Sequence, residues 1–422
     1  MDSLSVKGGY MDNFNKLDTG KIGFQQKKLF TLSSMGIFLD GYDLSIITMA
    51  ILVIPAQLDF TKMEYILVDI SSFVGMLIGA PVLGLLSDRI GRKKIFGLDL
   101  IFFVVFAITA GLSNNFIELF LSRFLMGIGI GGDYPISSTM MAEFSPKKSR
   151  GKLLISMVGM YWLGAFVSSF VNYIFVVNAY FWRYTFIIGG LIAIPVILLR
   201  FKIPESPRWL LSKEKDYKKY NKKSPKFYTM LIFVLLAWFV FDVAAYGLGF
   251  YYPVIFSALG FKDQFRQIAE ISMLISVGGI SGYLIALPLA DKLGRRFLII
   301  GGFFIMSVLL ILGSVIKITG LYAVPFYFLF VLFEQWVGAV TLFYPTEIFD
   351  TSIRSSVQGL ATSVSRVGAI MGIVLFPLFP IFKSLSIFAA FSVLGLFVVI
   401  FLAPETKNKS LEQNVEAYTA SK

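Results

Sequence analysis

The sequence predicts an all-α membrane protein with twelve transmembrane helices arranged in two similar six-helix bundles. Hydrophobic residues make up 56% of the 422 residues and charged residues only 15%, which is more apolar than a soluble domain. Apolar stretches recur at lengths near the ~20 residues that a helix needs to cross a bilayer. A charged turn also occurs twice, at residues 87–94 and 290–296. A membrane protein whose halves repeat is most simply two helical bundles around a central path, which points to a transporter.

Twelve apolar segments define the predicted spans. They cover residues 28–57, 64–86, 95–113, 116–144, 151–178, 182–201, 227–256, 267–290, 297–316, 320–349, 355–380 and 383–403. The chain then divides into an N-terminal tail, a first bundle, a basic linker, a second bundle and a C-terminal tail, over residues 1–27, 28–201, 202–226, 227–403 and 404–422. The linker carries seven Lys between Lys213 and Lys226, which is typical of a solvated tether near an anionic membrane surface.

The placement of the positive charges predicts the orientation. The net charge is +12, and Lys and Arg collect in alternate loops, at residues 89–94, 147–152, 200–226, 292–296 and 354. The intervening loops are short and nearly neutral, which is the positive-inside pattern of a membrane protein and not the signature of a nucleic-acid partner. We therefore expect a multi-pass protein of the cell membrane with both termini in the cytoplasm.

The residue inventory excludes several kinds of chemistry. The chain has no Cys and no His, so it lacks disulfides, thiol catalysis and the usual proton shuttle near neutral pH. Proton chemistry therefore falls to Asp, Glu, Lys or Tyr. The sequence shows no metal-ligand cluster, no pairing of nucleophile and base, and no soluble catalytic domain. We expect a monomer that is not an enzyme and that uses no cofactor and no metal.

Further landmarks repeat at nearly the same offset as the charged turn. Glu143 precedes Arg150 by seven residues, and Glu347 precedes Arg354 by seven. Glycine in the turn permits a tight connection between spans, and charges at this face can form a network that closes one state of a rocking protein. Alternatively, the charges only fix the topology. The predicted gating residues are Asp88, Arg89, Arg92, Glu143, Arg150, Asp291, Arg295, Glu347 and Arg354.

These repeated elements carry a family resemblance. The doubled turn, the two Glu-x₆-Arg elements and the segments 204–210 and 404–412 resemble the major facilitator superfamily. The last two segments and the run at 123–129 are similar to its sugar-porter branch. The resemblance implies the major facilitator fold and a secondary active transporter that exposes a central site to each face in turn.

Ionisable residues inside the predicted spans are the first functional candidates. A charge at mid-bilayer costs about 2.5–3.5 kcal/mol on insertion scales, so such residues are rare unless they have a function. Asp69 lies in span two without an evident role, and Asp99 either takes part in proton transfer or only pairs with the basic turn. The candidates for a proton route are Asp40, Asp43, Asp99, Arg123, Asp133 and Asp242.

Span four carries both a cation and an acid. Arg123 and Asp133 are ten residues apart, about 15 Å along a helix, so they cannot pair directly unless the helix is distorted. Glycines at 127–132 and Pro135 permit either such a distortion or the close approach of another helix. A deep Arg and Asp suit a route for a proton or an anion, although each can instead be neutralised by another span for packing.

Span seven predicts the substrate site. Trp238, Asp242 and Tyr246 are spaced at i, i+4 and i+8, on one face of a helix. Aromatic residues at this spacing are more often core than site, but a carboxylate among them indicates a wet cavity, because lipid does not tolerate it. Asp242 is then placed to bind a proton, with Trp238 and Tyr246 lining the substrate space.

A second resemblance concerns this site. The run at 129–137 and the Trp-x₃-Asp-x₃-Tyr spacing resemble the phosphate:proton symporter branch of the superfamily. The resemblance implies a proton path through Asp40, Asp99, Asp133, Asp242 and Arg123, and a span-eleven cation at Arg366. Where that branch has a Gln in span five and an Asn in span ten, this chain has Tyr161 and Gly338. The resemblance places Tyr134, Trp238, Asp242 and Tyr246 around the substrate, and Tyr161 can replace one hydroxyl contact. The predicted substrate-binding residues are these five and Arg366.

The polar inventory favours a small anion over a sugar. A sugar site needs groups that both donate and accept hydrogen bonds, and the amides at plausible depth are Asn172, Gln335 and Gln358. We therefore predict a proton-coupled symporter of a small anion, with inorganic phosphate as the first candidate and with protons and the lipid bilayer as its other partners. The alternatives are a proton-coupled or facilitative transporter of a sugar or small organic acid, and a nutrient sensor on the same fold that does not transport.

Overall fold

A computed structural model describes residues 22–213, 224–261 and 264–418 of the chain. Residues 1–21 and 419–422 of the predicted tails and residues 214–223 of the predicted linker therefore lie outside the described residues. Within the described residues, twelve helices have 19 residues or more. They are α1 (Phe24–Ala50), α2 (Lys62–Ile90), α3 (Arg92–Leu112), α4 (Phe116–Phe144), α5 (Arg150–Phe175), α6 (Phe181–Arg200), α7 (Pro225–Gly249), α8 (Phe265–Lys292), α9 (Arg295–Ile316), α10 (Ala323–Thr341), α11 (Arg354–Leu375) and α12 (Ile381–Leu402).

Ten of these helices are long and apolar enough to cross a membrane by length and composition. The other two are α1 and α4, which carry Asp40, Asp43, Arg123 and Asp133 and bury most of their residues inside the first bundle. A helix surrounded by other helices can hold polar side chains, because those side chains do not meet lipid. The predicted all-α membrane fold is confirmed.

The two halves pack in the same way. In the first half α1 packs on α5, α2 on α4 and α3 on α6, and in the second half the corresponding pairs are α7 with α11, α8 with α10 and α9 with α12. The halves meet along α2 with α11 and along α5 with α8, which are again equivalent pairs. The repeat in the sequence is therefore a pseudo-twofold repeat of two six-helix bundles.

Proline shortens three helices that the sequence predicted as longer continuous spans. The predicted spans one, seven and ten each break near one end, and a short helix follows, at Ile54–Gln57, Tyr252–Phe256 and Tyr344–Ile348. Each short helix has a proline in its first turn, because proline has no N–H to continue the preceding helix but suits the start of a new one. The first two breaks fall at equivalent points of the repeat.

The doubled turn depends on glycine. Gly91 and Gly294 have φ angles of +109° and +103°, a conformation that L-residues with a side chain rarely adopt. The next helices, α3 and α9, begin at the following residues, Arg92 and Arg295. The predicted tight connection is confirmed in both halves.

Glycines of α4 serve the close approach of a neighbouring helix. Gly127 and Gly131 lie against the backbone of α2 at Ser72 and Met76, where a side chain would not fit. The helix runs without interruption through Pro135. Of the two alternatives that the sequence left open, close helix packing is the one that the structure shows.

Candidate functional site

A cavity lies between the two bundles. Its walls come from α1, α4 and α5 of the first half and from α7, α8, α10 and α11 of the second, and it holds about 990 Å³ of empty space, open solvent included. All six predicted substrate-binding residues line it: Tyr134, Tyr161, Trp238, Asp242, Tyr246 and Arg366.

Arg366 is at the centre of this group. Its guanidinium carbon lies 5.2 Å from the ring centre of Tyr134, 5.1 Å from that of Tyr246 and 6.0 Å from that of Trp238. These distances suit cation–π attraction, which holds a buried cation without consuming its N–H donors. Among the described residues, Nε and Nη1 of Arg366 have no hydrogen-bond partner. The cation therefore keeps donors for a bound anion.

Asp242 lies beside this cation. Its Oδ2 is 3.6 Å from Nη2 of Arg366, and both side chains are 1% exposed. This distance is too long for a good hydrogen bond, and neither Asp242 oxygen has a hydrogen-bond partner among the described residues. The pair is an electrostatic contact at the cavity wall, so the carboxylate remains available to a proton and the guanidinium to an anion.

The remaining acids of the predicted proton route lie in the first bundle. Asp43 pairs with Arg123 across 3.8 Å, and Arg123 also donates from Nε to the Val68 carbonyl at 3.4 Å. Asp40 is buried, and neither of its carboxylate oxygens has a hydrogen-bond partner among the described residues. Asp69, which the sequence left without a role, accepts a hydrogen bond from the hydroxyl of Tyr251 across the two halves at 3.5 Å.

Arg200 corrects the sequence analysis, which counted it among the cytoplasmic loop charges. It is fully buried, and its Nη1 and Nη2 donate to the two oxygens of Asp133 at 2.7 and 3.1 Å. Its Nη1 also lies 3.4 Å from Asp99 Oδ2. Asp99 thus pairs with Arg200 and not with the basic turn, and Arg123 and Asp133 each have another partner. Two acids without a counter-ion were the signal that a buried cation was missing.

Glu334 is a cavity residue that the sequence analysis missed. It belongs to α10, lines the cavity and is 5% exposed, and its Oε2 has no hydrogen-bond partner among the described residues. Gly338, one helical turn further along, lines the same cavity. The sequence did contain a signal, because Glu334 is a carboxylate inside predicted span ten, one helical turn before Gly338.

The three candidate amide side chains lie in different surroundings. Gln335 lines the cavity, whereas Asn172 accepts a hydrogen bond from Thr185 Oγ1 at 2.9 Å and Gln358 donates to the Leu342 carbonyl. The cavity lining among the described residues therefore contains one of the three candidate amides. The lining also carries hydroxyl groups of Ser, Thr and Tyr, which can both donate and accept hydrogen bonds.

Comparison with known proteins decides the family. Residues 33–373 match the Major Facilitator Superfamily. The chain belongs to this superfamily. It is 28% identical to the inner membrane metabolite transport protein YgcS of Escherichia coli, over 87% of this chain and 89% of that protein. It is 27% identical to inorganic phosphate transporter 1-11 of Oryza sativa subsp. japonica, over 96% of this chain and 90% of that protein.

Solved structures show the same fold. The proton:xylose symporter XylE bound to 6-bromo-6-deoxy-D-glucose superimposes with a TM-score of 0.80 at 19% identity, covering 93% of this chain and 99% of that one. The inward-open xylose transporter XylE from E. coli gives a TM-score of 0.74 at 20% identity, covering 93% and 100%. As a member of the superfamily, the protein is a multi-pass secondary transporter of a small molecule and not an enzyme.

The charged turns make contacts that join the two halves of the protein. We call the face that carries residues 87–94 and 290–296 the basic face. Arg92 bridges Asp88 at 2.8 Å and Glu143 at 3.2 Å, and Glu143 reaches Arg354 of the other half at 3.0 Å. Asp88 Oδ2 also accepts from the backbone N–H of Ser356 at 2.6 Å, so it caps the N-terminus of α11.

The second turn makes related contacts. Arg295 lies 3.3 Å from Glu347 and 4.0 Å from Asp291, and Asp291 pairs with Lys152 of the first half at 3.3 Å. Arg150 donates to the carbonyl groups of Ala142 and Ser145 at 3.3 and 3.4 Å. Arg89 is exposed at this face and lies outside these ion pairs. The basic face is therefore closed by contacts between the halves.

The segments 204–206 and 404–406 brace these turns. Glu205 accepts from the backbone N–H of Arg92 at 3.0 Å, and Glu405 from that of Arg295 at 3.2 Å. A carboxylate at a helix N-terminus satisfies unpaired N–H groups and the helix dipole. The hydroxyl groups that follow, of Ser206 and Thr406, donate to Glu143 and Glu347. The sequence identified these segments as repeats, and the structure shows that they are caps.

Proposed function

We propose that this secondary transporter is a symporter that couples a small anion to protons at the Arg366–Asp242 pair. The observation that carries the proposal is the state of this pair, which lines the cavity between the halves. Arg366 has two nitrogens without hydrogen-bond partners among the described residues, and its neighbouring acid makes only a 3.6 Å contact. A planar guanidinium with free donors suits an oxyanion.

The coupling follows from charge. When Asp242 is protonated, Arg366 loses its neighbouring counter-charge and attracts an anion. When Asp242 is ionised, it pairs with Arg366 and repels the anion, so release is favoured. A bound proton and a bound anion therefore stabilise each other.

Inorganic phosphate is the first ion to test. The resemblance of Tyr134, Trp238, Asp242 and Tyr246 to a phosphate site supports it, and so does the similarity to a rice protein that is named an inorganic phosphate transporter. Tyr161 lines the same cavity and supplies one further hydroxyl to the oxyanion.

The proposal also assigns the residues of the proton route and the side of the membrane at which the cavity is closed. We assign Asp40 as the proton partner of Asp242, because its buried carboxylate lacks a hydrogen bond, and we assign supporting roles to the paired groups Asp43–Arg123 and Asp99–Arg200–Asp133. The basic face, with both termini, is assigned to the cytoplasm. The ties between the halves then close the cytoplasmic entrance and break in the opposite state.

The first prediction concerns Asp242. Purified protein in proteoliposomes should accumulate labelled phosphate when a proton gradient is directed inwards, and uptake should rise as the external pH falls. Asp242→Asn should lose gradient-driven accumulation by roughly tenfold or more, because the amide cannot exchange a proton. Glu270→Gln, a change at an exposed acid on α8, is the matched control and should leave accumulation unchanged.

Two outcomes would contradict the proposal. Full gradient-driven accumulation by Asp242→Asn would remove Asp242 from proton coupling. Thermal stabilisation of the purified protein by hexoses, but not by phosphate, sulfate or carboxylates, would remove the anion preference, because a bound ligand raises the apparent stability of the folded state.

A further inference from the structure

Glu334 gives the cavity a second carboxylate that coupling through Asp242 does not use. Its Oε2 has no hydrogen-bond partner among the described residues, although the side chain is 5% exposed. Among the described residues of the cavity lining, Arg366 is the one cation, and it already lies beside Asp242. An isolated buried carboxylate is costly unless a donor or a cation compensates it.

The Gln335 amide lies beside Glu334 and can supply one hydrogen bond to it. The adjacent Gln335 side chain spends an N–H on the Val331 carbonyl of its own helix at 3.2 Å. The hydroxyl of Tyr252, which lines the same cavity, also has no hydrogen-bond partner among the described residues. Buried polar groups in native proteins are nearly always satisfied by protein or by water, so these two groups are available to water or to a ligand in the cavity.

Gly338 lines the cavity beside this carboxylate. It follows Glu334 by one helical turn, on the same face of α10. A Cβ at Gly338 would lie 3.2 Å from the Phe241 ring, 3.4 Å from the Tyr283 hydroxyl and 3.5 Å from Gln335 Oε1. A side chain at Gly338 would therefore crowd these neighbours, and the cavity wall beside Glu334 is bare backbone with polar groups at its edge. Inorganic phosphate bound at Arg366 would leave this part of the cavity unused.

We propose that Glu334 forms a second subsite, which accepts hydrogen bonds from hydroxyl or ammonium groups of the substrate. The substrate is then a small organic anion whose acidic group binds Arg366 and whose other end carries these donors. The inference rests on the proposed anion site at Arg366 and adds the substrate class. Acids without a donor, and inorganic phosphate, occupy the Arg366 end alone and bind more weakly.

Matched ligands test this subsite. The dissociation constants of purified full-length protein are measured for straight-chain carboxylates of three to six carbons with a methyl, a hydroxyl or an amino group at the far end. At one chain length or more, a terminal donor should strengthen binding by roughly tenfold or more, because hydrogen bonds to a charged group are strong. The hydroxyl and amino arms show which donor the carboxylate prefers.

Two variants locate the effect. Glu334→Gln should reduce the donor preference to within about twofold, since an amide is a weaker acceptor than a carboxylate, while the affinity for the methyl-terminated acids stays the same. Glu270→Gln should keep the preference. Gly338→Ala fills part of the cavity without touching the carboxylate and should weaken the long substituted acids more than phosphate. Its expected effect holds even if Glu334→Gln fails to fold.

The outcomes separate this inference from the proposed function. Anions that bind without a donor preference, or a preference that survives Glu334→Gln, would overturn the Glu334 subsite and leave the Arg366 site standing. Donor-bearing neutral compounds that bind as well as the acids would overturn the anion site itself.

Discussion

Three arginines buried among the spanning helices, Arg123, Arg200 and Arg366, each lie beside an acid from another helix. A cation in a medium of low dielectric is costly unless a carboxylate compensates it. At the scale of single residues, most of the charge inside the bundles is thus arranged in pairs. Glu334 and Asp40 depart from this arrangement, since Glu334 Oε2 and both Asp40 oxygens have no hydrogen-bond partner within the described part of the chain.

Replacing Arg200 should test how much such a pair matters. Arg200→Met leaves Asp99 and Asp133 without their cation and should lower the free energy of unfolding by about 3–5 kcal/mol. Equilibrium unfolding in detergent micelles measures the loss. Adding Asp99→Asn and Asp133→Asn should recover part of it, because no unpaired charge remains.

The matched control for that experiment is Arg89→Met. Arg89 is exposed at the basic face, so its loss should change the free energy of unfolding by no more than about 0.5 kcal/mol. Equal stabilities of Arg200→Met and Arg89→Met would show that the buried triad of Arg200, Asp99 and Asp133 contributes nothing to folding.

At the scale of elements, the turns between helices carry much of the specificity. Gly91 and Gly294 adopt positive φ angles, and the helices that follow are capped by Glu205 and Glu405 from segments more than a hundred residues away. A side chain at either glycine would collide with the capping carboxylate. Turn, cap and helix start therefore form one unit, which occurs once in each half.

Gly294→Ala should lower the stability of the protein, because it disturbs the turn, the cap and the helix start together. The backbone conformation alone costs about 1–3 kcal/mol for a residue with a side chain, and displacement of Glu405 should add to it. Thermal unfolding in detergent measures the combined effect.

Two other glycines separate the contributions. Gly320 has a φ of +60° and open space around it, while a Cβ at the helical Gly301 would meet Trp336 at an ordinary 3.7 Å. Gly320→Ala should therefore show strain without a collision, and Gly301→Ala neither. If Gly294→Ala is no less stable than Gly320→Ala, the contact with Glu405 is unimportant.

At the scale of the whole molecule, the two halves are tied at one face and enclose the cavity beyond it. Glu143 reaches Arg354, and Lys152 reaches Asp291, each across the boundary between the bundles. Arg366 is twelve residues along α11 from Arg354, about 18 Å in a helix. On the proposed function, substrate release at the basic face requires these ties to separate.

Removing the charge of Glu143 should favour that separation. The chain has no native Cys, so Lys152→Cys with Asp291→Cys reports closure by cross-linking without background. Glu143→Gln should lower the cross-linking yield by roughly twofold or more, because the open state becomes more populated. Glu118→Gln, at an exposed acid at the start of the same helix, should leave the yield unchanged. Identical yields for the two variants would mean that Glu143 does not hold the face closed.

The long helices were predictable from the sequence, whereas the breaks before the short helices were not, and both results have a physical reason. Helices and their repeat were predictable because apolar length and charged turns act locally. The breaks before the short helices at Pro55, Pro253 and Pro345 were not predicted, since a proline is tolerated inside some helices, as Pro81 and Pro135 show here. Hydropathy does not distinguish the two cases.

What the sequence determined by itself was the twelve-helix repeat, the polar face of span seven and the set of charges at the basic face. These depend on residue type and on spacing along one helix, which are written in the chain. The tertiary structure alone decided the partners: it placed Arg200 between Asp99 and Asp133, brought Arg366 to Asp242, and added Glu334 to the cavity. Pairing between helices depends on their packing, because residues far apart in sequence become neighbours only when the helices are assembled.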